Sequence, residues 1–273
     1  MAVGNDGKIF TSADNGTTWT AQTSGVTVRL NGVTFSTDKF VAVGNTGTIL
    51  TSPDGTTWTT QTSGTTVQLF GVTYGNGLFV VVGASGTLLT SPDGTTWTAK
   101  TSGTTNDLEG VTYGNGLFVA VGNNKFYTSP DGTLWTEQDS GQNNQLFQVI
   151  FENNTFMAVG NQGTILTSPD GTTWTPQASG SANELSSVTY ANNTFMVVGL
   201  QGEWVKEAPA PNDPIALSYY LPSQLQVPLQ QKQSLLEEPS TVVRLGQAVV
   251  LMIGETRALK QRLDQEIGKR HSS

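Results

Sequence analysis

The stretch TSPDGTTWT stands at Thr51–Thr59, at Thr90–Thr98 and again at Thr167–Thr175. A fourth copy, TSPDGTLWT at Thr128–Thr136, carries a leucine, and a longer relative, TSADNGTTWT, occupies Thr11–Thr20. A serine close to an aspartate suggests chemistry, whereas near-verbatim recurrence suggests architecture. Spacing decides between them. Trp19, Trp58, Trp97, Trp135 and Trp174 follow one another at intervals of 39, 39, 38 and 39 residues. Two further markers keep the period. One is an apolar run ending in Val-Gly, at Phe40, Phe79, Phe118, Phe156 and Phe195; the other is GVTF at Gly32, GVTY at Gly71 and Gly110, QVIF at Gln148 and SVTY at Ser187. A fixed period of this length marks one supersecondary unit copied along the chain.

Each unit reads as four short strands, here called A (GVTY), B (FVAVG), C (TILTS) and D (WTTQTSG). Turn chemistry separates them. Gly-Asn-Gly at Gly75–Gly77 and Gly114–Gly116 joins A to B, since Asn-Gly tolerates the positive φ angles of a tight hairpin. Asn-Thr-Gly or Asn-Gln-Gly joins B to C, and Ser-Pro-Asp-Gly joins C to D. Short strands with regular turns predict an antiparallel all-β fold. A four-stranded unit repeated in this way predicts a β-propeller, whose blades are stable only when stacked on their neighbours. The chain starts inside a B strand, and its repeat region ends with SVTY, FMVVG and GEWVKEA. Five blades, with the last A strand completing the first blade, and six blades, with a divergent last one, both fit; six leaves no segment without a place.

Composition removes whole classes of chemistry. There is no cysteine, which excludes disulfides and thiolate sites, and the single histidine is His271 near the end of the chain. Residues 1–202 carry 13 acids and 5 bases, residues 203–273 carry 8 of each, and the net charge of −8 therefore sits on the repeats. An acidic body argues against nucleic acid as a partner, because phosphate binding needs a basic face. MAVGNDGKIF lacks the basic start and apolar core of a signal peptide, and AVVLMI at Ala248–Ile253 is too short to span a bilayer. No phosphate loop, nucleophile motif or metal cluster is evident, so no cofactor and no metal are expected.

The pattern Ser-x-Asp-(x)-Gly-x-x-Trp resembles the Asp-box of the bacterial neuraminidase repeat over about three quarters of the chain. The resemblance implies structural roles for Asp14 and Trp19, Asp54 and Trp58, Asp93 and Trp97, Asp131 and Trp135, and Asp170 and Trp174, on a hairpin rim away from any central site. Local physics agrees: Asp accepts turn N–H bonds, Pro pre-sets φ, Gly takes the left-handed position, and Trp packs on a neighbouring blade. Copies two to five are one residue shorter between Asp and Gly, a form similar to repeats of photosystem II assembly factors and of bacteriophage and bacterial surface proteins. A sialidase also needs three arginines, a Tyr–Glu nucleophile pair and an acidic proton donor. Arg29 is the one arginine in residues 1–207, and Glu109, Glu137, Glu152 and Glu184 are scattered, so no enzyme activity is expected. The units differ mainly in their D–A connections (TVRL, TVQLF, TNDLE, NNQLF, ANELS), which are either a ligand surface or merely tolerant loops.

Three regions follow: a propeller over 1–207, an extended Pro-rich arm over 208–240, and a helical attachment or oligomerisation segment over 241–273. In the last, Val242, Leu245, Val249, Met252, Leu259 and Leu263 fall at heptad spacing and form the expected anchor face, although AVVLMI also reads as a strand. The leading expectation is a structural or adhesive component of a larger assembly. Near-verbatim repeats resembling those of phage tail and fibre proteins point to a virion protein made in the bacterial cytoplasm, with an extracellular or periplasmic location as the alternative. Its expected partners are other protein subunits, a second copy through the C-terminal helix, and a surface glycan or protein receptor. An assembly-factor scaffold that binds a protein, and a lectin-like propeller, are the alternatives.

Overall fold

A computed structural model describes residues 1–199 in full, together with the backbone of strands Trp204–Glu207, Leu217–Tyr220, Val242–Leu245 and Ala248–Leu251. Six sheets succeed one another along the chain. The first has three strands, Ala2–Val3, Ile9–Thr11 and Thr20–Gln22, and each of the next five has four antiparallel strands in simple A-B-C-D order. The protein is a β-propeller, with six blades among the described residues. The last A strand, Leu185–Ala191, pairs with its own B strand, Thr194–Gly199, and does not complete the first blade.

The B strands are buried on both faces, as their unbroken apolar character requires. Val41 and Val43 pack with Leu69, Phe79 and Val81 of the next blade, while Ala42 and Leu50 pack with Ile9 of the preceding one. The A strands are innermost, each against the A strand of the next blade. There the glycine before the A–B turn has a packing reason: a Cβ on Gly75 would collide with the ring of Tyr113, and one on Gly114 with Phe151.

Two rims follow from this order. In blades two to five the A–B and C–D turns share one end of the sheet, and the B–C turns and D–A connections share the other. The lower rim is stitched by Lys39 Nζ donating to the Asp93 carbonyl (2.9 Å) and Asn115 Nδ2 to the Pro169 carbonyl (3.4 Å). On the upper rim the B–C joints are short 3-10 turns, Asn5–Gly7, Asn45–Gly47, Ala84–Gly86 and Asn161–Gly163. Blade four departs from this. Its joint is a two-residue hairpin, Asn123–Asn124, closed by Gly122 opposite Lys125, and this missing residue is the 38 in the tryptophan spacing.

Two readings of the C-terminal third change. Leu217–Tyr220, inside the segment read as an extended arm, is the fourth strand of blade six and pairs with Trp204–Glu207. Its aromatic, β-favouring composition fits that edge position, so the blade runs past the expected boundary at 207. Val242–Leu245 and Ala248–Leu251 form an antiparallel hairpin, not the upstream half of a helix. Adjacent Val pairs favour pleated backbone, and Leu245 stands opposite Ala248. Val242, Leu245 and Val249 of the expected heptad face therefore lie on strands. Met252, Leu259, Leu263 and the rest of the expected helix lie outside the described residues.

Candidate functional site

The quoted motif is a turn-fixing device. In the second copy Ser52 Oγ donates to Asp54 Oδ1 (3.0 Å) and accepts from the Gly55 N–H (2.8 Å). Asp54 Oδ1 accepts the N–H groups of Thr56 and Thr57, both at 2.8 Å. Asp93 and Asp170 repeat this arrangement. In the longer first copy Asp14 takes the N–H and hydroxyl of Thr18, which hold its carboxyl down at about 2. The Thr57, Thr96 and Thr173 backbone amides, foremost among several donors, hold Asp54, Asp93 and Asp170 well below the usual carboxylate range. Each tryptophan donates Nε1–H to the box glycine carbonyl, and the second to fifth also reach the preceding blade. Trp174 stacks on Phe126 of blade four, with ring centroids 3.6 Å apart and planes 7° from parallel. The box carboxylates spend their lone pairs on their own turns and sit on the lower rim.

What is not repeated lies on the upper rim. Each D–A connection ends in a fully buried leucine: Leu30, Leu69, Leu108, Leu146 or Leu185. The pairing register then slips by one residue, a β-bulge at Asn31, Phe70, Phe147 and Ser186. Glu109 takes the same place in blade four, its N–H donating to the Val121 carbonyl at 2.7 Å. Bulges re-aim side chains and recur beside binding sites. These five positions form a row along the inner strands, and no two adjacent blades have the same residue there. Asn31 Nδ2 bridges to the Leu69 carbonyl of the next blade (2.7 Å) and to Asn45 Oδ1 (3.0 Å). Gln145 Nε2 reaches Glu109 Oε1 at 3.2 Å. Glu109 is half-buried; burial pushes its carboxyl up, Asp107 pushes in the same direction, and the Gln145 bond opposes both.

The repeat breaks most sharply around the third D–A connection. In four blades a D-strand glutamine donates to a C-strand threonine: Gln22 to Thr11, Gln61 to Thr51 and Gln177 to Thr167 at 2.8 Å, and Gln138 to Thr128 at 3.3 Å. Blade three has Lys100 in that place, beside an open depression of about 550 Å³ lined by Gly86 and residues 100–105. Asp107, at the far end of the connection, accepts the Ser85 N–H at 2.8 Å. Beyond it lies the shortened joint of blade four, where Lys125 pairs with Asp139 (3.3 Å) and Glu137 (3.7 Å). Asn144 Nδ2 ties the next connection to Thr164 Oγ1 (2.8 Å).

The sequence leaves the D–A connections as either a ligand surface or tolerant loops, and the structure gathers them on one rim. Sequence reading missed Lys100, although AKTSG against TQTSG was a visible signal, and it noted the 38-residue interval without placing the shortened joint. Tyr74, Tyr113 and Tyr190 pack against Phe79, Phe118 and Phe195 at 4.6 Å. Arg29 is exposed on the first D–A connection. Among the described residues no three His, Cys, Asp or Glu side chains converge as a metal site would require, and no helix is long and apolar enough to cross a membrane.

The model of the DUF6242 beta propeller domain matches residues 1–108. No curated protein matches the sequence. Similar solved structures include YCF48 bound to a D1 peptide (TM-score 0.59, 20% identity, covering 75% of this chain and 72% of that one). They also include YCF48 from Cyanidioschyzon merolae (0.50, 18%, 75% and 89%) and a chain of the nidogen/laminin complex (0.59, 12%, 76% and 87%). At these identities the likeness is one of fold.

Proposed function

We propose that this propeller is a non-enzymatic scaffold that binds a protein partner on its upper rim, centred on the third D–A connection and blade four. One observation carries the reading. Lower-rim boxes are copied almost verbatim, whereas the upper rim has blade-specific residues: Lys100, Asp107 and Glu109, flanked along the bulge row by Phe70 and Phe147. Half-buried aromatics among polar and charged groups have the composition of a protein-recognition surface. A chain of similar fold has been seen with a peptide bound, which supports a peptide or protein ligand over a small molecule. The test is co-purification of partners from cells of the source, comparing the wild type with a Phe70→Ala, Glu109→Ala, Phe147→Ala variant and with a lower-rim Leu134→Thr variant. The expected result is loss of partner with the first and retention with the second; a partner held equally by both places the site elsewhere.

A second reading keeps the setting of a phage virion, with the propeller exposed and residues beyond 220 as the attachment. It is favoured by the hairpin Val242–Leu251, a two-stranded sheet separate from the six blades. Co-sedimentation of the chain with purified particles, lost on deleting residues 221–273, is the expected result; a chain that never sediments with particles removes this reading.

A further inference from the structure

We propose that the two A–B turns made by Asn-Gly on the lower rim, Asn76-Gly77 and Asn115-Gly116, are sites of spontaneous succinimide formation and isoaspartate accumulation in the folded protein; in the C–D turn Asn15-Gly16 the Gly16 N–H is instead held by Ser12 Oγ at 2.8 Å. Both turns are exposed two-residue loops, closed by Gly75 opposite Leu78 and by Gly114 opposite Leu117. In the step, the Gly77 backbone nitrogen gives up its proton to solvent base and bonds to Cγ of Asn76. The C–N bond of the side-chain amide breaks and ammonia leaves. Water then opens the five-membered imide at either carbonyl, giving aspartate or isoaspartate; the net change is amide plus water to carboxylic acid plus ammonia.

Three observations single these turns out. The attacking nitrogens are unencumbered: no backbone hydrogen bond occupies the Gly77 or Gly116 N–H. Around both glycines the space a Cβ would fill is open, with no atom within 4 Å, so the turn can swing the nitrogen toward Cγ. The molecule also contains its own control. Blades five and six close the same hairpin with Asn153-Asn154 and Asn192-Asn193, equally exposed and with the same left-handed backbone (φ 50° and 51°, against 49° at Asn76 and Asn115). There the attacking nitrogen belongs to a residue with a side chain, which crowds the approach. The φ of the reacting asparagine is matched, and the residue that supplies the attacking nitrogen is glycine in one pair and asparagine in the other.

The product has a structural consequence. Isoaspartate adds a backbone atom to a turn whose two residues match the strand twist. Either product also places a new carboxylate on a rim that already carries the box aspartates, among them Asp170 beside the Asn115 contact on Pro169.

The test incubates the purified full-length chain at mildly alkaline pH and follows each site by peptide mapping, with electron-transfer fragmentation to separate aspartate from isoaspartate. The expected result is conversion at Asn76 and Asn115 at least ten-fold faster than at Asn153 and Asn192. Gly77→Ala, which meets open space and is strained only by its φ of 74°, should slow Asn76 while leaving Asn115 unchanged. Should that variant fail to fold, Asn76→Gln serves, abolishing conversion at that site alone. Conversion at Asn76 and Asn115 no faster than at Asn153 and Asn192 overturns the proposal, as does conversion only after denaturation.

Discussion

Replacing Trp174 by alanine tests whether the box tryptophan fastens one blade to the previous one, and Trp19 provides the comparison. Both indoles are half-buried, and both donate to the glycine of their own box, at 3.2 Å and 3.1 Å. Trp174 also stacks on Phe126 of blade four and lies 6.4 Å from Phe156 of its own blade. Trp19 makes no aromatic contact and joins no hydrophobic cluster among the described residues. Removing a fully buried tryptophan costs about 3–5 kcal/mol, so a half-buried one costs about 2 kcal/mol, and the lost stack adds about 1 kcal/mol. Trp174→Ala should therefore destabilise by ~3 kcal/mol, a fall in Tm of about 6–12 °C for a domain of this size. Trp19→Ala loses its local contacts and should cost about 1 kcal/mol or less. The assay is urea unfolding followed by far-UV circular dichroism, with midpoints and slopes compared across the wild type and both variants. Equal losses would refute the argument, since the indole would then act only within its own hairpin.

Other expectations follow from the same contacts. Thr46 holds φ at 55°, a strained value for a β-branched residue, so Thr46→Asn should raise stability by about 0.5–1 kcal/mol in thermal unfolding. Gly47→Ala should be severe, because the added Cβ meets the Thr65 carbonyl oxygen and the position has φ 69°; a soluble variant within about 1 kcal/mol of wild type in urea would contradict that packing. The pH dependence has two signs. The box carboxylates have depressed folded-state pKa values, so their contribution is present above the unfolded value of 3.8; it is lost only as pH falls through about 2 for Asp14, and still lower for Asp54, Asp93 and Asp170. Glu109 is raised, so folding favours its neutral form and stability declines as pH rises through and above its unfolded value of 4.5. Glu109→Gln should therefore stabilise at pH 7 and be neutral at pH 3, measured as the difference in urea midpoint.

The blades were legible because their information is local. Asn-Gly, Ser-Pro-Asp-Gly and the Val-Gly that ends each B strand encode backbone conformations that only certain residues adopt, and five copies make the period unmistakable. The C-terminal third was harder for the opposite reason. LSYY becomes a blade strand only because WVKE offers it an edge, and pairing between segments separated by prolines leaves no periodic trace. VVRL-GQ-AVVL satisfies both a heptad count and a hairpin, and its β-branched pairs matched the strand pattern better than apolar spacing alone suggested. The upper-rim residues were partly visible as variation, but the register slip that groups Asn31, Phe70, Glu109, Phe147 and Ser186 is a three-dimensional fact.

The two rims obey different constraints. On the lower rim each box aspartate satisfies N–H groups of its own turn, which fixes Ser, Asp, Gly and Trp together; changing one strands the others, so the copies stay alike. On the upper rim the leucine is fully buried in every D–A connection, while the bulged residue beside it changes from blade to blade. Leu108 beside Glu109 and Leu69 beside Phe70 are both fully buried. The residue beside the leucine differs from blade to blade while the leucine does not, and the proposed recognition surface draws on that variation. Glu109 goes further: it is a half-buried acid next to Asp107 whose one side-chain hydrogen bond comes from a neutral amide, and burial pushes its carboxyl up towards the neutral form. Under the proposed upper-rim binding, Glu109 is a contact residue, a half-buried acid on the non-repeating rim whose carboxyl a partner's polar atoms would satisfy. That predicts a specific pattern for Glu109→Gln, in which the free protein becomes more stable while partner binding weakens. Stabilisation with binding unchanged would separate Glu109 from the site and leave Lys100 and the two flanking phenylalanines as its core.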